Sequence, residues 1–152
     1  MSKQTNTLLI LMDQWGGKRI GAAGNEYIQT PTLDQLAKNG TLYTNAYSEA
    51  PICIPARRSL YTGTSPRTHG DRTFQKDNHM PKNLKTFPKC FVEAGYQAFC
   101  IGKLHVNPSR DRIGFNDALI AEEGRPHMGI DDYEIFLTEN GHAGRQFMHG
   151  MS

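Results

Sequence analysis

The sequence predicts an α/β fold, a mainly parallel sheet flanked by helices. Three observations point that way. The apolar run "NTLLILM", Asn6 to Met12, ends in a polar loop and reads as a buried strand. Strand-like segments then alternate with helix-like ones that open on proline and stop at glycine. The later pair "LKTFPKCFVEAG" and "YQAFCIGK" repeats the helix-to-strand step.

Each element has its own signal. After the first strand, "DQWGGKRIGAAGNEY" is a glycine-rich loop. "TPTLDQLAKNG" reads as a helix with Thr30 as N-cap and Pro31 at the first helical position. Leu33, Leu36 and Ala37 share one face, and Gly40 supplies the stop. "TLYTNAYS", Thr41 to Ser48, alternates and contains aromatics, so it reads as a strand. A second helix is predicted from Pro55 to Tyr61, ended by Gly63. The polar loop "TSPRTHGDRTFQKDNHMPKN" follows. In the third helix Pro88 lies near the first turn and Gly95 beyond the end. "GFNDALIA" reads as a further strand. "DDYEIFLTENG" reads as a last helix, with Tyr133, Phe136 and Leu137 on one side and Gly141 past its end. No repeat or low-complexity tract interrupts this order.

Composition narrows the class. The 152 residues are enough for one domain with a core. Apolar content of 38% and charged content of 21% are ordinary for a globular chain. A net charge of +2 gives no reason to expect nucleic acid or a membrane surface as partner. The three cysteines, Cys53, Cys90 and Cys100, are odd in number and irregularly spaced, which argues against a disulfide scaffold and for a reducing compartment. The apolar run Leu8 to Met12 is too short for a membrane span or a signal-peptide core. The expected location is the cytoplasm.

In open α/β sheets, ligands bind beyond the carboxyl ends of the strands. Three features fall at such places: Asp13 after the first strand, Cys53 after the second, and Lys103 with His105 after "FCIG". Cys53 lies at the entrance of a predicted helix, where unpaired N–H groups and the dipole favour anions. Arg57, four residues on, can share its face and pair with an oxyanion or orient residue 53. Taken alone, such a pair reads as a small packed thiol beside a surface arginine. A thiolate phosphatase loop needs arginine six positions after cysteine, and Ser59 stands there.

The wider pattern Cys53, Pro55, Arg57, Leu60, Thr62 and Gly63 resembles the signature of the sulfatase family, in the alkaline phosphatase superfamily. The resemblance implies an alkaline-phosphatase-like fold, incomplete in this chain, and a maturation enzyme that oxidises Cys53 to formylglycine. One hydroxyl of the hydrated aldehyde attacks sulfur or phosphorus in that family, and loss of a proton from the other expels the inorganic ester. An unmodified thiol cannot perform the second step.

Other residues resemble the same family's elements. Asp13 in "ILMDQW" matches the metal-binding aspartate that follows the first strand. The next residue is Gln14 where many sulfatases have a second aspartate; the Asp-Gln form resembles the branch of choline sulfatases and phosphonate monoester hydrolases. The implied ligands are Asp13, Gln14 and residue 53, around calcium first, or magnesium or manganese. "IGKLH" resembles the family's Gly-Lys-x-His element: Lys103 would neutralise the substrate's oxygens and His105 would assist proton transfer. Two apart, these residues face the same way in extended chain. His69 occupies a loop that approaches the pocket in relatives, and is assigned to substrate binding. Thr73 and Phe74 depart from the asparagine that some Asp-Gln relatives carry there. Glu122, Glu123, Asp131 and Asp132 read as solvated charges. His127, His142 and His149 are too dispersed for a metal.

The resemblance makes residues 1–152 the N-terminal part of a longer catalytic domain, with the remainder absent. Sulfuric ester hydrolysis is the leading expectation, with a small anionic sulfate or phosphonate ester as substrate. Phosphonate or phosphate ester cleavage is the alternative within hydrolases. A non-catalytic remnant that needs a partner, or the missing C-terminal part, is the alternative outside them. The isolated chain is expected to be inactive, because Asp13, Gln14 and residue 53 offer calcium too few oxygens.

Overall fold

The structure is a computed structural model, and it describes residues 5–75, 77–123 and 130–142. His127 and His149 lie outside the described residues. The chain divides into two compact units, Met1–Tyr47 and Ser48–Ser152.

In the first unit a single 3-10 turn, Gly21–Ala23, precedes helix α1, Pro31–Asn39. Proline opens α1 and Gly40 ends it, as the sequence predicts. Thr30 is the N-cap residue, but its hydroxyl turns to the loop. It accepts from Gly21 N at 2.8 Å and donates to Asp34 Oδ1 at 3.0 Å. Asp34 also accepts from Ala22 N at 2.7 Å. This close packing requires a glycine at 21: a Cβ there would lie 2.6 Å from Asp34 Oδ2.

The two strands predicted in this part of the chain are not formed. Residues 6–12 and 41–48 carry no ladder, and Leu8 and Ile10 are 84% and 68% exposed. Apolar runs and alternation report a segment's suitability for a sheet, while pairing is a nonlocal event that needs a partner strand. Among the described residues neither segment has one.

The second unit holds the rest. Helix α2, Cys53–Thr62, begins two residues earlier than predicted. Proline is tolerated in a first turn, where its missing N–H would have had no partner. The first intrahelical bond runs from Ala56 N to Ile52 O at 2.9 Å, so Cys53 is the first helical residue. Gly63 closes α2 with φ 64°, in the left-handed region that glycine enters without strain. A short helix α3, Pro66–His69, lies within the stretch predicted as loop. Ser65 caps it by accepting from Thr68 N, the local signal for its start. Helix α4, Phe87–Glu93, leads to strand β1, Phe99–Gly102. Strand β2, Asp117–Ile120, pairs with β1 in parallel, Phe99 opposite Asp117 and Gly102 opposite Ile120. Helix α5, Asp132–Glu139, follows.

The core is built from all of these elements except α3 and α5. Tyr61, Met80, Leu104, Val106, Ile113 and Ile120 are buried together, with Phe87, Cys100, Phe115 and Ala118 against them. Tyr61 ties α2 to this core. Its ring stacks on Phe87 at 5.8 Å and meets Phe115 edge-on at 6.4 Å. Burial pushes the Tyr61 hydroxyl up to about 12. Leu104, between Lys103 and His105, is fully buried. Replacing Leu104 by alanine should cost about 2–5 kcal/mol of stability, read as a lowered urea midpoint.

Candidate active site

The predicted site residues divide between the two units. Asp13 and Gln14 form a turn in the first unit and are exposed. Gln14 has φ 53°, a left-handed conformation costing of order 1–3 kcal/mol for a residue with a side chain. Cys53, Arg57, His69, Lys103 and His105 all belong to the second unit.

Within that unit α2 and the chain beyond β1 are joined directly. Arg57 Nη1 donates to the Lys103 carbonyl at 2.5 Å. The helix that opens on Cys53 is therefore fastened to the segment that bears Lys103 and His105. Cys53 is a half-buried free thiol. Lys103 Nζ meets Glu123 Oε1 at 2.7 Å. As predicted, Lys103 and His105 follow a strand directly. The chain there is not extended: His105 has φ 54°, so the two-residue alternation expected of these side chains does not apply. The His105 ring is buried and lies edge-on to Phe74 at 5.8 Å.

His69 is buried beneath the same helix. Its Nδ1 accepts from Asp71 N at 3.2 Å, which leaves Nε2 protonated and donating to Ser59 Oγ at 3.0 Å. Both ring nitrogens are thus engaged with the protein. Burial is the main cause that lowers its pKa; the Asp71 carboxylate opposes the shift.

Two buried charged networks were missed in the sequence. Arg58 is almost fully buried, with Nε 2.9 Å from Asp71 Oδ2, Nη1 donating to His79 O at 3.0 Å and Nη2 to Asn78 O at 2.8 Å. Burial lowers its pKa and Asp71 raises it. The missed signal was its place on the apolar face: Ile54, Arg58 and Tyr61 are all buried on α2. Glu122, Glu123, Asp131 and Asp132, read as solvated, are structural instead. Glu122 is only 1% exposed, and its Oε1 accepts from Leu104 N at 3.0 Å and His105 N at 2.7 Å. Burial pushes its carboxyl up, against the pull of those two N–H groups and of the Lys103 and Arg57 charges. Asp131 caps α5 by accepting from Glu134 N, and Asp132 accepts from Ile120 N at 2.6 Å. Asp131 followed three residues later by Glu134 is a capping-box pattern, which was legible.

A family model described as Sulfatase matches residues 5–139. The chain belongs to the sulfatase family. This places it among hydrolases. An arylsulfatase of Clostridium perfringens is 37% identical over 150 residues, covering 90% of this chain and 31% of the relative. The solved structure of a 2-O GAG sulfatase matches with a TM-score of 0.60 and 28% identity, covering 72% of this chain and 24% of that one. The phosphonate monoester hydrolase of Agrobacterium radiobacter matches at TM-score 0.67 over 88% of this chain and 28% of its own. At 23% identity that likeness shows the fold alone, an α/β fold of the alkaline phosphatase type. The chain spans 20–31% of the length of the curated relatives it matches.

Members of the family carry formylglycine and a divalent cation. A half-buried cysteine at the first position of a ten-residue helix suits the former. For the latter, this sulfatase chain places one carboxylate and one amide side by side at Asp13 and Gln14. Among the described residues no three His, Cys, Asp or Glu side chains gather to hold a metal. Calcium takes about six to eight oxygens, so these donors alone do not make up its site. Among the same residues no helix is long and apolar enough to cross a membrane.

The lowered pKa of His69 sets a pH dependence. Below about pH 6.5 the unfolded chain takes a proton at His69 before the folded chain does. Stability should therefore fall as the pH drops below that value, down to the folded pKa. Urea midpoints at pH 7 and pH 5 check this, and His69→Gln should flatten the difference.

Proposed function

We propose that this chain carries the sulfate-binding and nucleophile-bearing part of a sulfuric ester hydrolase, with Cys53 as the precursor of formylglycine. The observation that carries this reading is the bond from Arg57 to the Lys103 carbonyl, which couples the Cys53 helix to the Lys103–His105 segment. Formylglycine, once made from the cysteine, supplies a hydrated aldehyde oxygen as nucleophile. Lys103 holds the anionic oxygens of the ester with its ammonium group, and Glu123 fixes where that group sits. His105 moves a proton at residue 53. Arg57 keeps the start of α2 in register with both. His69 serves the same centre through Ser59, by holding α2 rather than by touching the ester.

Asp13 and Gln14 supply oxygens to the divalent cation, calcium before magnesium or manganese. The substrate is a small anionic sulfate ester, and the partner during maturation is a formylglycine-generating enzyme. Three free cysteines accord with the cytoplasm. One feature favours a second reading, cleavage of phosphonate or phosphate esters: Gln14 follows Asp13 where many sulfatases have two aspartates.

Mass spectrometry of the Cys53 peptide, after co-expression with the maturation enzyme, tests the assignment. The thiol should be replaced by an aldehyde, with Cys90 and Cys100 unchanged; an intact thiol at 53 defeats the reading. The 152-residue chain, given calcium, should show no turnover of aryl sulfate, phosphate monoester, diester or phosphonate above background. Clear metal-dependent hydrolysis of any of the four would refute the ligand shortfall at Asp13 and Gln14, and would rank the substrates.

A further inference from the structure

We infer that Glu122 is a positioning residue for this chemistry: by accepting two backbone N–H groups on one carboxylate oxygen, it fixes the turn that carries Lys103 and His105. The inference rests on the roles proposed for those two residues.

The ladder between β1 and β2 ends at Gly102 and Ile120, and one further bond runs from Ala121 N to Gly102 O at 3.1 Å. Beyond Lys103, the amides of Leu104 and His105 lie past that ladder in buried residues. Buried N–H groups without acceptors are costly. Glu122 meets the need with its side chain: Oε1 takes both, at 3.0 and 2.7 Å. Its other oxygen, Oε2, is buried with no hydrogen-bond donor among the described residues, so the side chain is committed to this one turn.

The backbone that bears this carboxylate is itself held. Glu122 N donates to Asp131 Oδ2 at 2.7 Å, and Asp131 Oδ1 accepts from Glu134 N at 2.9 Å in the first turn of α5. The turn is thus suspended from the start of α5. The hydrogen bonds donated to Glu122 by Leu104 N and His105 N oppose the strain of His105 in its left-handed conformation. Glu123, also left-handed at φ 65°, grips the same turn from the side-chain end through Lys103 Nζ. Arg57 grips it at the Lys103 carbonyl. One segment of three residues is therefore fixed at two amides, one carbonyl and one ammonium group.

Amide exchange and sulfate titration by NMR test this on the 152-residue chain, in wild type, Glu122→Gln and Glu122→Leu. Glutamine keeps a carbonyl oxygen for both amides; leucine keeps the volume and removes the acceptor. In wild type, Leu104 and His105 should exchange at least about tenfold more slowly than the exposed Tyr43 and Thr44. Glu122→Leu should lose about tenfold of that protection at the two amides and retain it in β2, while Glu122→Gln keeps it. Inorganic sulfate should shift the Lys103 signals of wild type, with affinity about tenfold weaker in the leucine variant and within about twofold in the glutamine variant. A merely structural carboxylate would leave the sulfate affinity of the folded variants equal, and that result overturns the inference. Fast exchange at both wild-type amides overturns it too, even if the leucine variant does not fold. If sulfate leaves Lys103 of wild type unmoved, the proposed role of Lys103 falls. The exchange data alone then decide whether Glu122 fixes the turn.

Discussion

The hydrogen bond from the Arg57 guanidinium to the Lys103 carbonyl joins two pieces of chain that lie far apart in sequence. On one side is a helix whose first residue is the cysteine and whose third is a proline. On the other is the segment that leaves a short parallel strand. A carbonyl is a fixed acceptor only if its own segment is fixed. Leu104 supplies that by full burial in the core, and Glu122 by taking the neighbouring amides. The donor is equally constrained, because Tyr61 stacks on Phe87 and anchors the same helix one turn on. Each partner of the bond is therefore held independently, which is what lets a polar contact define a geometry rather than merely adapt to one.

Charge plays two parts around this helix. Arg57 is only half buried and reaches across to backbone, whereas its neighbour Arg58 is almost fully buried and satisfied by Asp71 and two carbonyls. A buried ion pair of this kind is a poor source of net stability, yet removing either member leaves a stranded charge. Its effect is to pin Asp71, Asn78 and His79 against α2, and between Asp71 and Asn78 in the chain comes Phe74, the ring that flanks His105. Two successive arginines thus fasten the helix to two different stretches of chain.

Much of this arrangement was legible in the sequence. The helices announced themselves by proline at the start and glycine past the end, as at Pro31 and Gly40 or at Gly63. The later strand pair followed from alternation and position. The Cys53 signature and the Lys103–His105 element, both singled out in the sequence, lie in the one unit and are linked by a hydrogen bond. What escaped was whatever depends on distant partners. The run at residues 6–12 is apolar enough for a strand, but sheet pairing is decided elsewhere in the chain. Glu122 looks like any charged residue after a strand; its burial follows from two amides eighteen and seventeen positions away. Helix α3 was hidden because it is a single short turn, although Ser65, Pro66 and Gly70 mark its ends.

The two-stranded sheet leaves Phe99, Ile101 and Leu119 at 61%, 83% and 59% exposure, and Leu8 and Ile10 are more than half exposed as well. With a net charge of +2, electrostatic repulsion between copies is slight. Apolar side chains beside unpaired strand edges are sticky toward other chains. The colloidal behaviour of the polypeptide, including its recovery from an expression host, is thus governed by these exposed apolar side chains in each unit more than by the buried core of the second.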